Sequence, residues 1–233
     1  SKFSKQAMIN PVSRVQKIAS GGAGTALNAS LPISIKVAEK TGYNRYNLKM
    51  GNKILSTKSM KSLDVDGEYW GEIASGTENI VIRNLFKKPS LAYAAPDGLA
   101  LIERLISEPN LNWFYEYIFN GLSAADSRET FENLAQMLLA LQKNIINISF
   151  VYNGIKGVFQ MKFDSAKTSQ IYLVFSNFAP IIFTLKGAQI ISAQTPFDKV
   201  ARLLRNEFSC ETQTTQNIAA FFDPSGKIID FKG

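Results

Sequence analysis

Residues 146–163 read INISFVYNGIKGVFQMKF and carry the clearest structural signal in the chain. Apolar side chains occupy most alternate positions on both sides of Asn153-Gly154, as expected of two half-buried β-strands. Asn-Gly suits a two-residue hairpin turn, because both central residues of that turn need positive φ. The stretch therefore predicts a β-hairpin at the start of an antiparallel sheet.

More strands and one long helix are predicted after this hairpin. Thr195-Pro196 is suited to begin the helix, with Thr as the capping residue and Pro in the first turn. A last hairpin is predicted from Asn217–Phe222 and Lys227–Phe231. Residues 145–233 are thus expected to form an α+β domain, an antiparallel sheet with one long helix. The remaining predicted elements are strands Gln170–Ser176, Ile181–Leu185 and Ala188–Ser192, and helix Thr195–Phe208.

Short strands separated by turn residues also fill residues 31–95. Gly51-Asn52 is suited to join two of them in a tight hairpin. Five short strands at this spacing are typical of a small, curled antiparallel barrel, so an OB-like β-barrel is predicted. The predicted strands are Ile33–Val37, Arg45–Met50, Lys53–Thr57, Glu68–Ile73 and Asn79–Arg83.

A helical middle is predicted for residues 96–144, between the two β-rich halves. Ser127 is a suitable N-cap for its last helix, and apolar residues recur at helical spacing after it. Residues 1–30 are expected to be a flexible basic leader that ends in a Gly-rich stretch, Gly21–Thr25. The predicted fold class is therefore α+β, with a barrel, a helical middle and a second sheet.

Composition excludes several kinds of chemistry. The chain has no histidine and a single cysteine, Cys210, so it lacks Ser-His-Asp and Cys-His catalysis, histidine-ligated zinc and thiolate metal cages. Phosphate-binding and dinucleotide-binding patterns are also absent. We therefore expect a non-enzymatic protein with no catalytic residues, no metal and no cofactor. Paired-carboxylate chemistry stays open as an alternative, because any two of the nineteen acidic residues could converge in the fold. No run of 18 apolar residues occurs, which predicts no membrane span.

Charge is distributed unevenly along the sequence. Residues 1–63 contain eleven Lys and Arg and one acidic residue, Glu39, whereas residues 64–132 contain five basic and twelve acidic residues. This separation of charge favours an anionic partner at the basic end, or neutralisation of the basic residues by the acidic ones within the molecule. The first twenty residues lack the apolar stretch of a signal peptide, so a cytoplasmic location is expected.

Two surfaces are candidate binding sites. Lys199, Arg202 and Arg205 recur on one face of the predicted last helix and could contact a protein partner. The predicted barrel carries cations and tyrosines that could hold a nucleic acid in a basic groove with stacking rings. The residues of this alternative nucleic-acid face are Lys36, Lys49, Lys53, Tyr43 and Tyr46, with Lys58 and Lys61 as further cations of the same groove.

Two stretches of the chain resemble the flagellar hook-length control protein family. Arg45–Thr57, with Ser62–Gly67 and Tyr69–Ile73 after it, is similar to the small barrel of hook-length-control-like proteins. Residues 148–163 and the helix at Thr195–Phe208 are similar to that family's conserved domain. The resemblance implies a non-enzymatic protein-binding factor in flagellar or type III export assembly. It also implies export or hook components as partners, and export through a flagellar type III apparatus.

Overall fold

A computed structural model describes residues 31–75, 80–91, 95–108, 110–164 and 168–223. The first sheet has five antiparallel strands in the spatial order β3-β2-β1-β4-β5. The predicted leader, residues 1–30, lies outside the described residues. The five strands are β1 Ile33–Gly42, β2 Arg45–Met50, β3 Lys53–Lys58, β4 Glu68–Ser75 and β5 Ile80–Lys87.

The five-stranded sheet encloses a small core of its own. Leu63, in the loop after β3, covers the inner face of the sheet, which carries the apolar residues of β1 and β2. The two edge strands, β3 and β5, are not paired with each other, so the sheet is open and the predicted closed barrel is wrong. On the outer side, Trp70 and Phe86 join the apolar core of the second sheet. That contact buries the side of β4 and β5 that faces away from the first core.

Three helices follow, and then a six-stranded sheet with a fourth helix near its end. The order of the second sheet is β11-β10-β9-β8-β7-β6, antiparallel except for the parallel pair β10 and β11. The helices are α1 Gly98–Ser107, α2 Asn112–Ala124, α3 Arg128–Leu141 and α4 Asp198–Phe208. The strands are β6 Ile145–Tyr152, β7 Ile155–Phe163, β8 Thr168–Phe175, β9 Phe178–Lys186, β10 Gln189–Thr195 and β11 Glu211–Thr214.

The predicted layout of a helical middle between two β halves is also wrong. Helices α1, α2 and α3 pack on the second sheet, where Ile146 and Ile148 of β6 belong to their apolar core. Helix α4 packs on β10 and β11 of the same sheet. The second sheet therefore carries four helices instead of one, because the apolar face of β6 provides the surface that the three earlier helices need to bury.

Turn chemistry confirms the hairpins predicted from local sequence. Asn153 and Gly154 have φ of 50° and 76°, as the two-residue turn between β6 and β7 requires. Gly51 has φ of 58° in the turn between β2 and β3. The predicted start of α4 is wrong, since Thr195 remains in β10 and the helix begins at Asp198.

The last predicted hairpin is not formed in the part that the structure describes. Residues 217–222 contain no strand. Ile218 and Phe222 are instead buried against the second sheet. The other predicted strand of that hairpin, Lys227–Phe231, lies outside the described residues.

Gly98 allows α1 to approach β6 closely. A Cβ atom at Gly98 would lie 2.2 Å from the carbonyl oxygen of Ser149 and 2.9 Å from Cα of Phe150, both backbone atoms that cannot move independently of the sheet. We expect Gly98→Ala to lower the free energy of unfolding by about 1–3 kcal/mol, the usual cost of overpacking. Gly42→Ala is the control for chemical denaturation, because its Cβ would meet nothing nearer than 3.8 Å. Equal stability of the two variants would contradict this packing.

Candidate functional site: an apolar groove on the second sheet

An apolar groove of about 380 Å³ crosses the helix-bearing face of the second sheet. The sheet forms its floor, and residues of α1 and α4 stand at its sides. All of the lining residues are aliphatic or aromatic. They are Leu99, Ile102, Phe150, Tyr152, Phe159, Ile171, Leu173, Phe175, Phe183, Leu185, Ile190 and Phe208.

The floor of the groove follows from strand register. Phe159 of β7 is paired with Leu173 of β8, and Ile171 of β8 is paired with Phe183 of β9. Directly paired residues of antiparallel strands point to the same face of a sheet. The apolar side chains of three successive strands therefore form one continuous surface.

One end of the floor is built around a glycine. The ring of Phe150 lies over Gly157, where a Cβ atom would come within 2.4 Å of the ring. Phe175 meets Phe150 edge to face, with ring centroids 5.5 Å apart. Gly157 thus lets a large ring lie flat against the sheet, and the two rings stabilise that end of the groove.

The groove lies where the helical layer leaves a gap. Helix α1 packs on β6 and α4 packs on β10 and β11, on either side of β7, β8 and β9. Strands β6 and β10 are four spacings apart in the sheet, roughly 19 Å. Packed helices lie about 8–10 Å from axis to axis. The gap between α1 and α4 is therefore wide enough for one more helix.

The groove offers almost no hydrogen-bonding group to an occupant. Strands β7, β8 and β9 have partners on both sides, so their backbone N–H and C=O groups are used within the sheet. Among the lining side chains only Tyr152 carries a polar atom, its hydroxyl, and Tyr152 is half exposed at the rim. An occupant must therefore bring an apolar surface whose own polar groups are already satisfied.

The predicted basic stripe of α4 is divided by the structure. Lys199 is engaged within the molecule: its backbone N–H donates to Glu72 Oε1 at 2.8 Å, and its Nζ donates to the carbonyl of Ile73 at 3.3 Å. Arg205 Nε donates to Thr212 Oγ1 at 3.1 Å. Arg202 is exposed. The stripe as a partner-binding surface stays a prediction, with Arg202 and Arg205 as its exposed members.

The predicted nucleic-acid face is also rearranged. Tyr46 is fully buried, and its hydroxyl accepts a hydrogen bond from Leu63 N–H, which lowers the pKa of that tyrosine. Its ring therefore cannot stack on a base, and this part of the prediction is wrong. Lys53 is paired with the buried Met50, which places it on the inner side of the sheet. Lys36 and Lys49 are paired with each other on the outer side.

The groove was not predicted from the sequence, because the residues that line it were identified only as inward-facing positions of strands. A signal was present: one helix of the predicted length covers about two strands of a sheet, whereas the predicted apolar face spanned at least five. Some of that face had to remain open or be covered by other elements.

Within the described ranges, no cluster of three or more potential metal ligands occurs. No helix in the described part of the chain is long and apolar enough to cross a membrane. No protein-family model, curated protein or solved structure matches this chain.

Proposed function

We propose that this protein is a non-enzymatic protein-binding factor whose groove holds an amphipathic helix of a protein partner. The observation that carries the proposal is the gap of one helix width between α1 and α4, floored by apolar side chains of β7, β8 and β9. Binding of a helix in an apolar groove is a common mode of protein recognition.

The chemistry of the groove favours a helix over an extended segment. An extended segment laid on the face of a sheet brings backbone N–H and C=O groups that find no partner there, and each unsatisfied buried group costs about 1–3 kcal/mol. A helix satisfies these groups internally and presents side chains alone. An apolar stripe on that helix would complete the layer that α1 and α4 begin.

The proposed cellular role is assembly of a flagellum or a related type III export apparatus, with export or hook components as partners. This part of the proposal is supported by the hook-length-control-like residue pattern in Arg45–Thr57 and in residues 148–163. In this role the protein would act in the cytoplasm and could itself be exported through the flagellar apparatus.

Site-specific photo-crosslinking in the native cells would test the groove. A photo-reactive residue in place of Leu173, on the floor, should capture one protein through a segment with helical apolar periodicity, identified by mass spectrometry. The same residue in place of Phe131, an exposed position on α3 away from the groove, is the control. Identical products from both positions, or a captured segment without an apolar stripe, would overturn the proposal.

Substitutions at the rim should then weaken binding of the captured partner. Tyr152 and Phe208 are 49% and 43% exposed, so their replacement leaves most of the core in place. We expect Tyr152→Asp/Phe208→Asp to raise the Kd at least about 30-fold, because the loss of two aromatic contacts and the burial of two unpaired carboxylates together cost at least about 2 kcal/mol. Phe131→Asp/Phe163→Asp adds the same charge at residues that are 51% and 53% exposed and lie outside the groove. This control pair should bind normally in calorimetric titration.

A further inference from the structure

The outer face of β1, β2 and β3 displays cations in directly opposed pairs. Lys36 of β1 faces Lys49 of β2, and Arg45 of β2 faces Lys58 of β3. All four residues are exposed. The face lies on the first sheet and is distinct from the apolar groove of the second sheet.

These opposed cations do not help the protein to fold, because like charges directly opposite each other destabilise a pair of strands. Lys36 Nζ has a carboxylate neighbour, Asp66 Oδ1, at 3.3 Å. Within the part of the chain that the structure describes, Arg45, Lys49 and Lys58 have no carboxylate at ion-pair distance. Among the described residues of this face, Glu39 lies between the two cation pairs and is hydrogen-bonded to Asn47, and Glu68 of β4 lies directly opposite Lys36 and is paired with Lys88. The face therefore holds an excess of positive charge that an anionic partner could neutralise.

The two cation pairs are too far apart for one small anion. Arg45 and Lys49 are four residues apart on β2, roughly 13 Å along an extended strand. A polymer with repeated negative charges can reach both pairs at once, whereas a single phosphate or carboxylate can reach one. The spacing therefore favours a polyanion.

An exposed aromatic ring and an exposed apolar side chain lie beside the cations and indicate which kind of polyanion binds there. Tyr43, in the turn that joins β1 and β2, is 89% exposed, and Ile54 of β3, directly opposite Lys49, is 63% exposed. Proteins that bind single-stranded nucleic acid combine a basic track for the backbone with aromatic side chains on which bases stack. An acidic peptide would gain little from Tyr43.

We propose that this basic face of β1, β2 and β3 binds single-stranded nucleic acid. Lys36, Lys49, Arg45 and Lys58 contact successive phosphates, and Tyr43 stacks on a base at one end of the strand. The proposal differs from the barrel groove expected from the sequence, because Arg45 is added to the contacts and Lys53, Lys61 and Tyr46 are left out.

Binding of a fluorescent oligothymidine to the full chain, followed by anisotropy at several salt concentrations, tests the proposal. Four neutralised phosphates predict that log K falls with log salt at a slope of about −3, since each contributes about −0.7 on a single strand. No binding at low salt, or affinity unchanged by salt, would overturn the proposal.

Matched charge variants assign the binding to this face. We expect Arg45→Gln/Lys49→Gln to weaken binding about 25-fold at 0.1 M salt. Each phosphate contact raises the binding constant at 0.1 M salt about fivefold over its value at 1 M salt, and this variant loses two contacts. Lys53→Gln/Lys186→Gln removes the same charge from the inner side of the first sheet and from the end of β9 in the second sheet, and should change affinity by less than about threefold. Equal weakening of both variants, or retained affinity in Arg45→Gln/Lys49→Gln, would overturn the assignment.

Displacement of the oligonucleotide by an equal charge concentration of polyglutamate would show a general preference for acidic polymers and would also overturn the proposal.

Discussion

Replacement of Glu72 by Ala is expected to lower the free energy of unfolding by about 3 kcal/mol, since hydrogen bonds to a charged group are each worth about 1.5–3 kcal/mol. Glu72 belongs to β4 of the first sheet but is only 5% exposed. Its carboxylate accepts the backbone N–H of Lys199, at the start of α4, at 2.8 Å and the side-chain amide of Asn84 at 2.9 Å. The residue thus joins the first sheet to a helix of the second.

The carboxylate of Glu72 supplies the cap that α4 lacks in its own sequence. The N-cap residue, Phe197, has no side-chain oxygen, and no side-chain hydrogen bond caps the helix from that position. A negative charge near the first turn is also favoured by the helix dipole. A β-bulge in β5 places Asn84 at φ of 52°, and its amide then holds the second oxygen of Glu72.

Two further variants separate the contribution of the negative charge of Glu72 from that of its hydrogen bonds. Glu72→Gln keeps an acceptor for the helix but loses the charge, so its loss of stability should be smaller than that of Glu72→Ala. Glu68→Ala removes an exposed carboxylate of the same strand, whose partner Lys88 is 12% exposed and keeps its hydrogen bond to Ser34 Oγ at 2.7 Å, and should cost less than about 1 kcal/mol. Urea denaturation measures all three. If Glu72→Ala proves as stable as Glu68→Ala, the carboxylate of Glu72 contributes nothing to the junction.

Replacement of Gln160 by Leu is expected to have a similar effect, about 2–4 kcal/mol, because it leaves buried backbone groups without partners. Gln160 is 1% exposed in β7. Its amide donates to the carbonyl of Phe222 at 2.7 Å and to Asn147 Oδ1 at 2.9 Å, and its oxygen accepts from Phe222 N–H at 3.0 Å. The side chain therefore pairs with Phe222 as a neighbouring strand would.

This pairing holds the segment around Phe222 on the face of the second sheet opposite the groove. In Gln160→Leu, hydrogen exchange of the Phe222 amide should rise to the rate of an open segment, whereas β8 and β9 should stay protected. Gln194→Leu is the control, because Gln194 makes an exposed side-chain contact with Gln213 at 3.2 Å. Unchanged exchange at Phe222 in the Gln160 variant would mean that apolar packing alone holds the segment.

Features that depend on residues close together in the chain could be predicted from the sequence. Asn153-Gly154 predicts its hairpin because the φ requirement of the turn is met by the two residues themselves. Ser127 likewise caps α3, and its hydroxyl accepts from Thr130 N–H at 3.1 Å. The cap predicted at Thr195 failed because pairing of β10 with β9 and β11 kept that residue in a strand.

Features that depend on distant parts of the chain could not be predicted in the same way. Barrel closure depends on whether β3 and β5 meet, and period-two patterns are the same in an open and in a closed sheet. Tyr46 and Lys53 were both expected on one basic surface, but register places both on the inner side, where Tyr46 is buried. The groove likewise depends on where α1 and α4 pack on the sheet.

The sequence by itself determined most of the strands, their tight turns, the absence of histidine chemistry and the excess of positive charge in its first quarter. These properties follow from composition and from interactions between residues close in the chain. Only the tertiary structure decided that the first sheet stays open, that Glu72 caps a helix of the other sheet, and that an apolar gap remains between α1 and α4. Each of these depends on contacts between residues far apart in sequence, which are selected by the packing of whole surfaces rather than by local preference.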